Sequence, residues 1–405
     1  MWKLVLCLLV LLGALVGSPT ARAEPGISEI IERAREAQEA EQLATAEYLY
    51  RKALFVQPRN KRARKELRKV AEKRIAELLA QAEQVRAEYP DTAASYGARA
   101  LEIDPDCKEA KALLESAGYV QIRGEWVSPE YAKRLQEQGG EGRREELRLP
   151  PIFQIIEVDP LRFFTNVDVK NAKSVLTQAI NANVSHLREY RRVFDALGLR
   201  SPSEGIDIVL FNTREEYARR IRMSGTAGVY IPSERAGFFF RDGGYDFGTM
   251  LHEMTHQLND KLLRVRAAAW FEEGISEYFG SAQLTQQGKR IEVGRVDGTR
   301  LATFKRMVRE GDGYIPLEKF VLYPQSELTG EFYSEAWAFA HFLMEVHPEG
   351  RSILFDYIAS VGPLGPRLGR ELRALPEIVQ AHGLTLDALE SQMKAYYATG
   401  KLGVE

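Results

Sequence analysis

Asp246-Phe247-Gly248-Thr249-Met250-Leu251-His252-Glu253-Met254-Thr255-His256-Gln257-Leu258-Asn259 is the stretch that decides how this chain is read. Side chains four residues apart stack on one helical face. A helix capped by Asp246 and ending near Asn259 therefore brings the imidazoles of His252 and His256 to a single metal ion. Glu253 lies one step around that helix, where it can take a proton from a metal-bound water without filling a coordination position. Phe247, Met250, Leu251, Met254 and Leu258 form a second, apolar stripe, so the core and the candidate site use different faces.

Two imidazoles leave a hydrolytic zinc site short of one protein ligand. The next segment, Trp270-Phe271-Glu272-Glu273-Gly274-Ile275-Ser276-Glu277-Tyr278, offers three carboxylates. Its portion from Glu273 to Tyr278 resembles the second motif of the gluzincin metallopeptidases, of the peptidase MA-like (DUF1570-like) type. In those enzymes a glutamate opening a Glu-Gly-x-Ala/Ser stretch binds the metal. The resemblance implies Glu273 as third ligand and Glu277 as the hydrogen-bond partner of a ligand histidine. The alternative exchanges those two roles, and Glu272 is expected to be a solvent-exposed carboxylate. Sixteen residues separate His256 from Glu273, slightly fewer than in thermolysin-like enzymes and zinc aminopeptidases.

The resemblance extends over about residues 160 to 400 and is strongest at these two motifs. Tyr333, within Gly330-Glu331-Phe332-Tyr333-Ser334-Glu335-Ala336, loosely resembles the aminopeptidase tyrosine that donates to the oxyanion. Glu335 and Ala336 stand where that pattern has lysine and glycine, and an ordinary packing tyrosine is the competing reading. The remaining histidines, 186, 341, 347 and 382, read as structural residues.

Upstream of the helix the chain mixes strands and helices. Phe153 to Thr165 reads as two strands, Asn171 to Leu197 as a long helix, and Ile206 to Phe211 as an apolar strand. Gly228 to Arg241 gives two extended runs. The second, Gly237-Phe238-Phe239-Phe240, is either a buried strand or an edge strand that pairs with substrate. With the helical remainder, this is an α+β pattern. The resemblance implies a zincin-like catalytic domain over 151–405, made of a small sheet and active-site helices.

Residues 24–118 are rich in Ala, Glu, Lys, Arg and Leu at helical spacing, and they repeat. Arg51 to Leu67 aligns with Ala98 to Leu114, setting Ala53 over Ala100, Leu54 over Leu101 and Pro58 over Pro105 at an offset of 47 residues. This all-α segment resembles tetratricopeptide repeats stretched beyond their usual length, and any array of helical hairpins is the competing reading. Residues 119–150 follow as a small hairpin from Tyr119 to Val127 and a polar charged linker from Gly139 to Arg144. The main domain boundary is expected between about 139 and 151.

Lys3, the apolar run from Leu4 to Val16, and the exit Ala21-Arg22-Ala23 predict a signal peptide cleaved near residue 23. Thirteen apolar-region residues are too few to span a bilayer comfortably. The mature chain is expected to be exported, periplasmic or secreted, with no stable membrane span. Cys7 leaves with the leader, so Cys107 has no intramolecular partner and stability must come from burial. The 55 basic residues less Lys3 and Arg22 leave 53 against 57 acidic ones, which argues against nucleic acid as a partner. The expected activity is zinc-dependent peptide hydrolysis with His252, His256 and Glu273 on Zn2+, Glu253 as general base and Tyr333 at the oxyanion. Peptide or protein substrates are the expected partners, with a protein partner on the repeats. The alternatives are a non-catalytic repeat scaffold and a zinc hydrolase of non-peptide substrates.

Overall fold

The computed structural model of the chain describes residues 26–361 and 374–400, apart from 123–124, 128, 130–131, 133–139, 200–204, 223–224 and 266. The expected leader, 1–23, lies outside the described residues.

Small residues set the packing of the first helices. They are α1 (Ile27–Glu39), α2 (Leu43–Val56), α3 (Lys61–Val85), α4 (Pro90–Ile103) and α5 (Lys108–Ser116). Ala34, Ala46, Ala53, Ala63 and Ala100 are fully buried, since a methyl group is all that fits where helices cross closely. The helix ends repeat with the sequence. Leu43 and Pro90 open matching helices, Val56 and Ile103 close them, and Lys61 and Lys108 open the next pair.

These helices are not free of the rest of the chain. The ring of Phe55 on α2 lies 6.2 Å from Phe194 and 5.4 Å from Phe355, so residues from both ends of the sequence share one core. A short antiparallel hairpin follows, β1 (Val120–Ile122) with β2 (Glu125–Val127). Next comes α6 (Gly140–Glu146), where a polar linker is expected. Its Arg143 donates to Asp207 at 2.7 Å and to the carbonyl of Glu234, and Leu147 and Leu149 pack beneath the sheet. Arg143 thus anchors the segment to the sheet.

The central sheet holds β3 (Gln154–Val158), β4 (Leu161–Thr165), β5 (Ile206–Phe211), β6 (Gly228–Ile231) and β7 (Ala236–Phe240), in the order β3-β4-β5-β7-β6. Helix α7 (Val169–Phe194) makes the crossover between parallel β4 and β5, and α8 (Arg214–Ile221) lies between β5 and β6 in sequence. Strand β5 is buried throughout and apolar except for Asp207, as a central strand covered on both faces is expected to be. Strand β7 is equally internal, parallel to β5 and antiparallel to β6. Phe238 points into the core under the sheet and Phe239 into the core above it. The edge-strand reading of Gly237 to Phe240 is therefore incorrect. A run of phenylalanines needs apolar cover on two faces, and on this side of the sheet it is β6 that forms the edge, with β3 at the other.

Above the sheet lie α9 (Phe247–Leu258), extended by one π turn over Asn259–Leu263, and α10 (Ala269–Gly280). A hairpin, β8 (Gln283–Thr285) and β9 (Arg290–Glu292), leads to α11 (Gly298–Glu310), α12 (Leu317–Phe320), α13 (Gly330–His341), α14 (Gly350–Val361), α15 (Leu375–Ala381) and α16 (Leu386–Thr399). The architecture is α+β, with a small mixed sheet under many helices. Among the described residues, no helix is long and apolar enough to cross a membrane.

Candidate metal centre

Helix α9 starts where the sequence expects it to. Asp246 accepts a hydrogen bond from the Thr249 amide, tying down one of the free N–H groups of the first turn. Met250, Leu251, Met254 and Leu258 are buried, while His252, Glu253 and His256 lie on the partly open side. Gln257 fixes the helix to the sheet by donating from its buried amide to the carbonyls of Asp207 and Arg235, both at 3.1 Å. Thr255 meets the buried His186 at 3.1 Å.

Helix α10 crosses α9 at two glycines. A Cβ on Gly280 would lie 3.2 Å from the Gly248 carbonyl oxygen and 3.3 Å from the His252 Cβ, so the approach depends on missing side chains. That closeness brings Glu273 to the two imidazoles. The Nε2 atoms of His252 and His256 are 3.1 Å apart, and Glu273 Oε2 lies 3.3 Å from the first and 3.4 Å from the second. A tetrahedral centre with arms of about 2.0–2.1 Å has edges of about 3.3 Å, so the three atoms fit three corners of a zinc-sized site. The donor set, two imidazole nitrogens and one carboxylate oxygen, suits that metal as well.

Each converging side chain is held from behind. Glu277 Oε1 is 3.4 Å from His252 Nδ1, and Arg300 grips the same carboxylate through Nε and Nη2 at 2.8 and 2.6 Å. Glu277 thus faces the outer nitrogen of His252, while Glu273 faces the inner ones. Glu272 is half-buried, contrary to its expected exposure. Its Oε2 lies 3.8 Å from His256 Nδ1 and accepts from Asn259 Nδ2 at 2.8 Å, and Asn259 in turn accepts from Tyr190 at 2.7 Å. Gln325 donates to the other oxygen of Glu273 at 2.9 Å, leaving Oε2 to the imidazoles. Asn259 lies on the motif helix's own histidine stripe, whereas sequence reasoning missed Arg300, Tyr190 and Gln325, since each comes from a different element and none sits in a motif.

The electrostatics of the cluster follow from burying one carboxylate between two rings. Burial opposes the charge on His256, but the facing carboxylates of Glu272 at 3.8 Å and Glu273 at 3.4 Å, with the charge of Glu253, overcome it and hold the ring up at about 10. His252 is raised for the same reason, with Glu273 and Glu277 outweighing burial. Burial would raise Glu273, yet its bonds to His252 and His256 hold it well below the usual carboxylate range. Without a cation His256 holds its proton, and a metal must displace it.

Glu253 and Tyr333 border the same cleft, about 540 Å³ in volume, whose walls include Thr226, Gly228 and Arg300. Glu253 Oε2 accepts from the Tyr230 amide at 2.8 Å. The Tyr333 ring lies 6.2 Å from that of His252 and 5.8 Å from the Arg300 guanidinium. Burial, with the carboxylates of Glu273, Glu253 and Glu277, pushes the Tyr333 phenol up to about 12, so it keeps its proton. The other histidines stand apart from this cluster. His341 meets Tyr397 at 2.9 Å, His382 meets Asp356 at 2.9 Å, and His347 caps the π turn after α13.

A search of curated proteins finds no match to the chain. Residues 246–364 match a domain described as a protein of unknown function, DUF1570, and that stretch runs from the cap of α9 past Tyr333, enclosing His252, Glu253, His256, Glu273, Glu277 and Arg300.

Proposed function

We propose that the chain is an exported zinc-dependent metallopeptidase with a zincin-like, gluzincin-type site, carrying tetratricopeptide-like helices that offer a surface to a protein partner. The observation that carries this reading is the spacing of His252 Nε2, His256 Nε2 and Glu273 Oε2, 3.1 to 3.4 Å apart with a cleft beside them. Those three residues would hold the metal. When bound, zinc supplies Lewis acidity, which acidifies water and polarises a carbonyl.

The chain's own residues supply the rest. Glu253 Oε1 accepts no hydrogen bond among the described residues, so it is available to take the proton of the attacking water and pass it to the leaving amine. Tyr333, with its proton retained, donates to the oxygen on which charge develops. Glu277 and Glu272 orient the imidazoles from their outer nitrogens. Gly228 of the edge strand β6 lines the cleft. Although Glu253 takes the Tyr230 amide, the rest of a strand edge can pair with an extended backbone, which supports a peptide as substrate.

The test is zinc content and cleavage of a mixed peptide library, wild type beside Glu253→Gln. We expect both proteins to hold one zinc and only the wild type to cleave. Unchanged turnover in Glu253→Gln removes the mechanism, and a zinc-free wild type that cleaves nothing removes the reading.

A further inference from the structure

The open edge of the sheet and the motif helix are joined by a single residue, Tyr230 on β6. Its backbone N–H donates to Glu253 Oε2 at 2.8 Å, and its phenol donates to Asp260 Oδ2 at 2.6 Å, in the turn that extends α9. The two bonds reach positions seven residues apart on one helical run, so strand and helix cannot slide past each other while both are made. In an antiparallel pair, alternate residues turn their amides away from the partner strand. Tyr230 lies opposite Gly237 in the pairing of β6 with β7, and its amide is spent on Glu253 instead of on β7.

We infer that Tyr230 is a positioning residue for Glu253. Its amide fixes one carboxylate oxygen and leaves Oε1 without a hydrogen bond among the described residues, and its phenol pins the strand that carries the amide. A carboxylate on a flexible stem otherwise explores several rotamers, and a general base working from the wrong one loses alignment with the proton it must take. The inference rests on the peptidase reading for its catalytic meaning, but the bond itself can be tested without turnover.

Amide hydrogen exchange supplies that test. The Tyr230 amide faces away from its strand partner, and we expect it to be protected in the wild type, protected in Glu253→Gln, whose amide oxygen still accepts, and at least tenfold faster in Glu253→Ala. Exchange of the Val229 and Ile231 amides serves as the control and stays unchanged. Exchange at Tyr230 that is indifferent to Glu253→Ala overturns the inference, whatever the protein cleaves.

The catalytic arm replaces Tyr230 by its α-hydroxy acid analogue, which turns the amide into an ester, deletes the N–H and keeps the side chain, with the Val229 carbonyl a weaker acceptor. Tyr230→Phe deletes only the bond to Asp260. For the ester we expect kcat to fall about tenfold or more, with KM and zinc content unchanged, and for Tyr230→Phe a smaller fall of the same kind. An unchanged kcat in the ester variant, or a loss of zinc with it, overturns the positioning role. A protein with the expected exchange pattern that hydrolyses no peptide overturns the peptidase reading, and the catalytic meaning of the clamp with it.

Discussion

Glu277 stands 3.4 Å from His252 Nδ1 while Arg300 holds both of its oxygens, so the imidazole shares its carboxylate with a guanidinium. Sharing tempers how strongly Glu277 can draw on the ring, yet it locks the carboxylate in place. We expect Glu277→Gln to weaken zinc binding about 10- to 100-fold, the usual effect of removing a carboxylate behind a ligand histidine. Arg300→Met, which leaves Glu277 to His252 alone, should change affinity less. Competition with a chromogenic chelator reads both, and equal losses would show that Arg300 matters as much as the contact of Glu277 with His252.

The crossings of α10 lead to a second prediction. A Cβ on Gly274 would lie 2.8 Å from the Ala336 carbonyl oxygen on α13, a backbone atom that cannot swing aside, whereas on Gly280 the nearest atom is at 3.2 Å. Gly274→Ala should therefore cost about 1–3 kcal/mol of stability, as overpacking does, and Gly280→Ala less. Because Gly280 faces His252, its substitution should show more in zinc affinity than in the urea midpoint. The reverse ranking would mean that the two contacts relax differently from their distances.

The sequence makes the motif helix legible because one element carries its cap, its apolar stripe and both imidazoles at a fixed period. Glu273 was legible by resemblance, and its distance from the imidazoles is set by Gly248 and Gly280, whose meaning appears only when two helices cross. Strand positions were legible as well, with Ile206–Phe211 found at the expected residues, but strand order was not. Whether Phe238 and Phe239 lie inside or at an edge depends on β6 folding back beside β7, a non-local choice with no local signature. Arg300, Gln325 and Tyr190 reach the site from three separate stretches of chain, each an ordinary polar residue in its own neighbourhood.

The protonation of the site gives a third prediction, whose sign depends on whether metal is present. His256 is raised from 6.5 to about 10 in the metal-free fold, so its contribution to stability is fully present below about pH 6.5 and is lost as the pH rises toward 10. Glu273 is depressed, and its contribution is present above the ordinary carboxylate range and lost on acidification. Metal-free protein should thus be most stable in mildly acidic solution, with its Tm falling from pH 6.5 upward. Zinc must displace the His256 proton, so its affinity, and the rise in Tm it produces, should grow with pH over the same window. Thermal melts with chelator and with zinc between pH 5.5 and 9.5 test this, and a zinc-induced shift independent of pH contradicts it.

Asp356 on α14 gives the last. It accepts from Tyr48 and from Lys52, at 2.9 Å, on α2, and meets His382 Nε2 at 2.9 Å, so one carboxylate joins the N-terminal helices to the C-terminal ones. Burial would raise its pKa, but the bond to His382, the charge of Lys52 and the bond to Tyr48 hold it well below the usual range. Its contribution is therefore present above about pH 4 and is lost as the pH falls through the depressed value. Asp356→Ala leaves Lys52 and His382 without their shared partner, and breaking such a buried cluster costs about 3–5 kcal/mol. The first two helices should loosen before the sheet does, because the sheet and α9 keep all of their own bonds. Limited proteolysis should then cut within residues 27–56 while zinc affinity holds at the wild-type value. Loss of zinc in step with proteolysis would instead mean that the helices and the metal centre unfold as one unit.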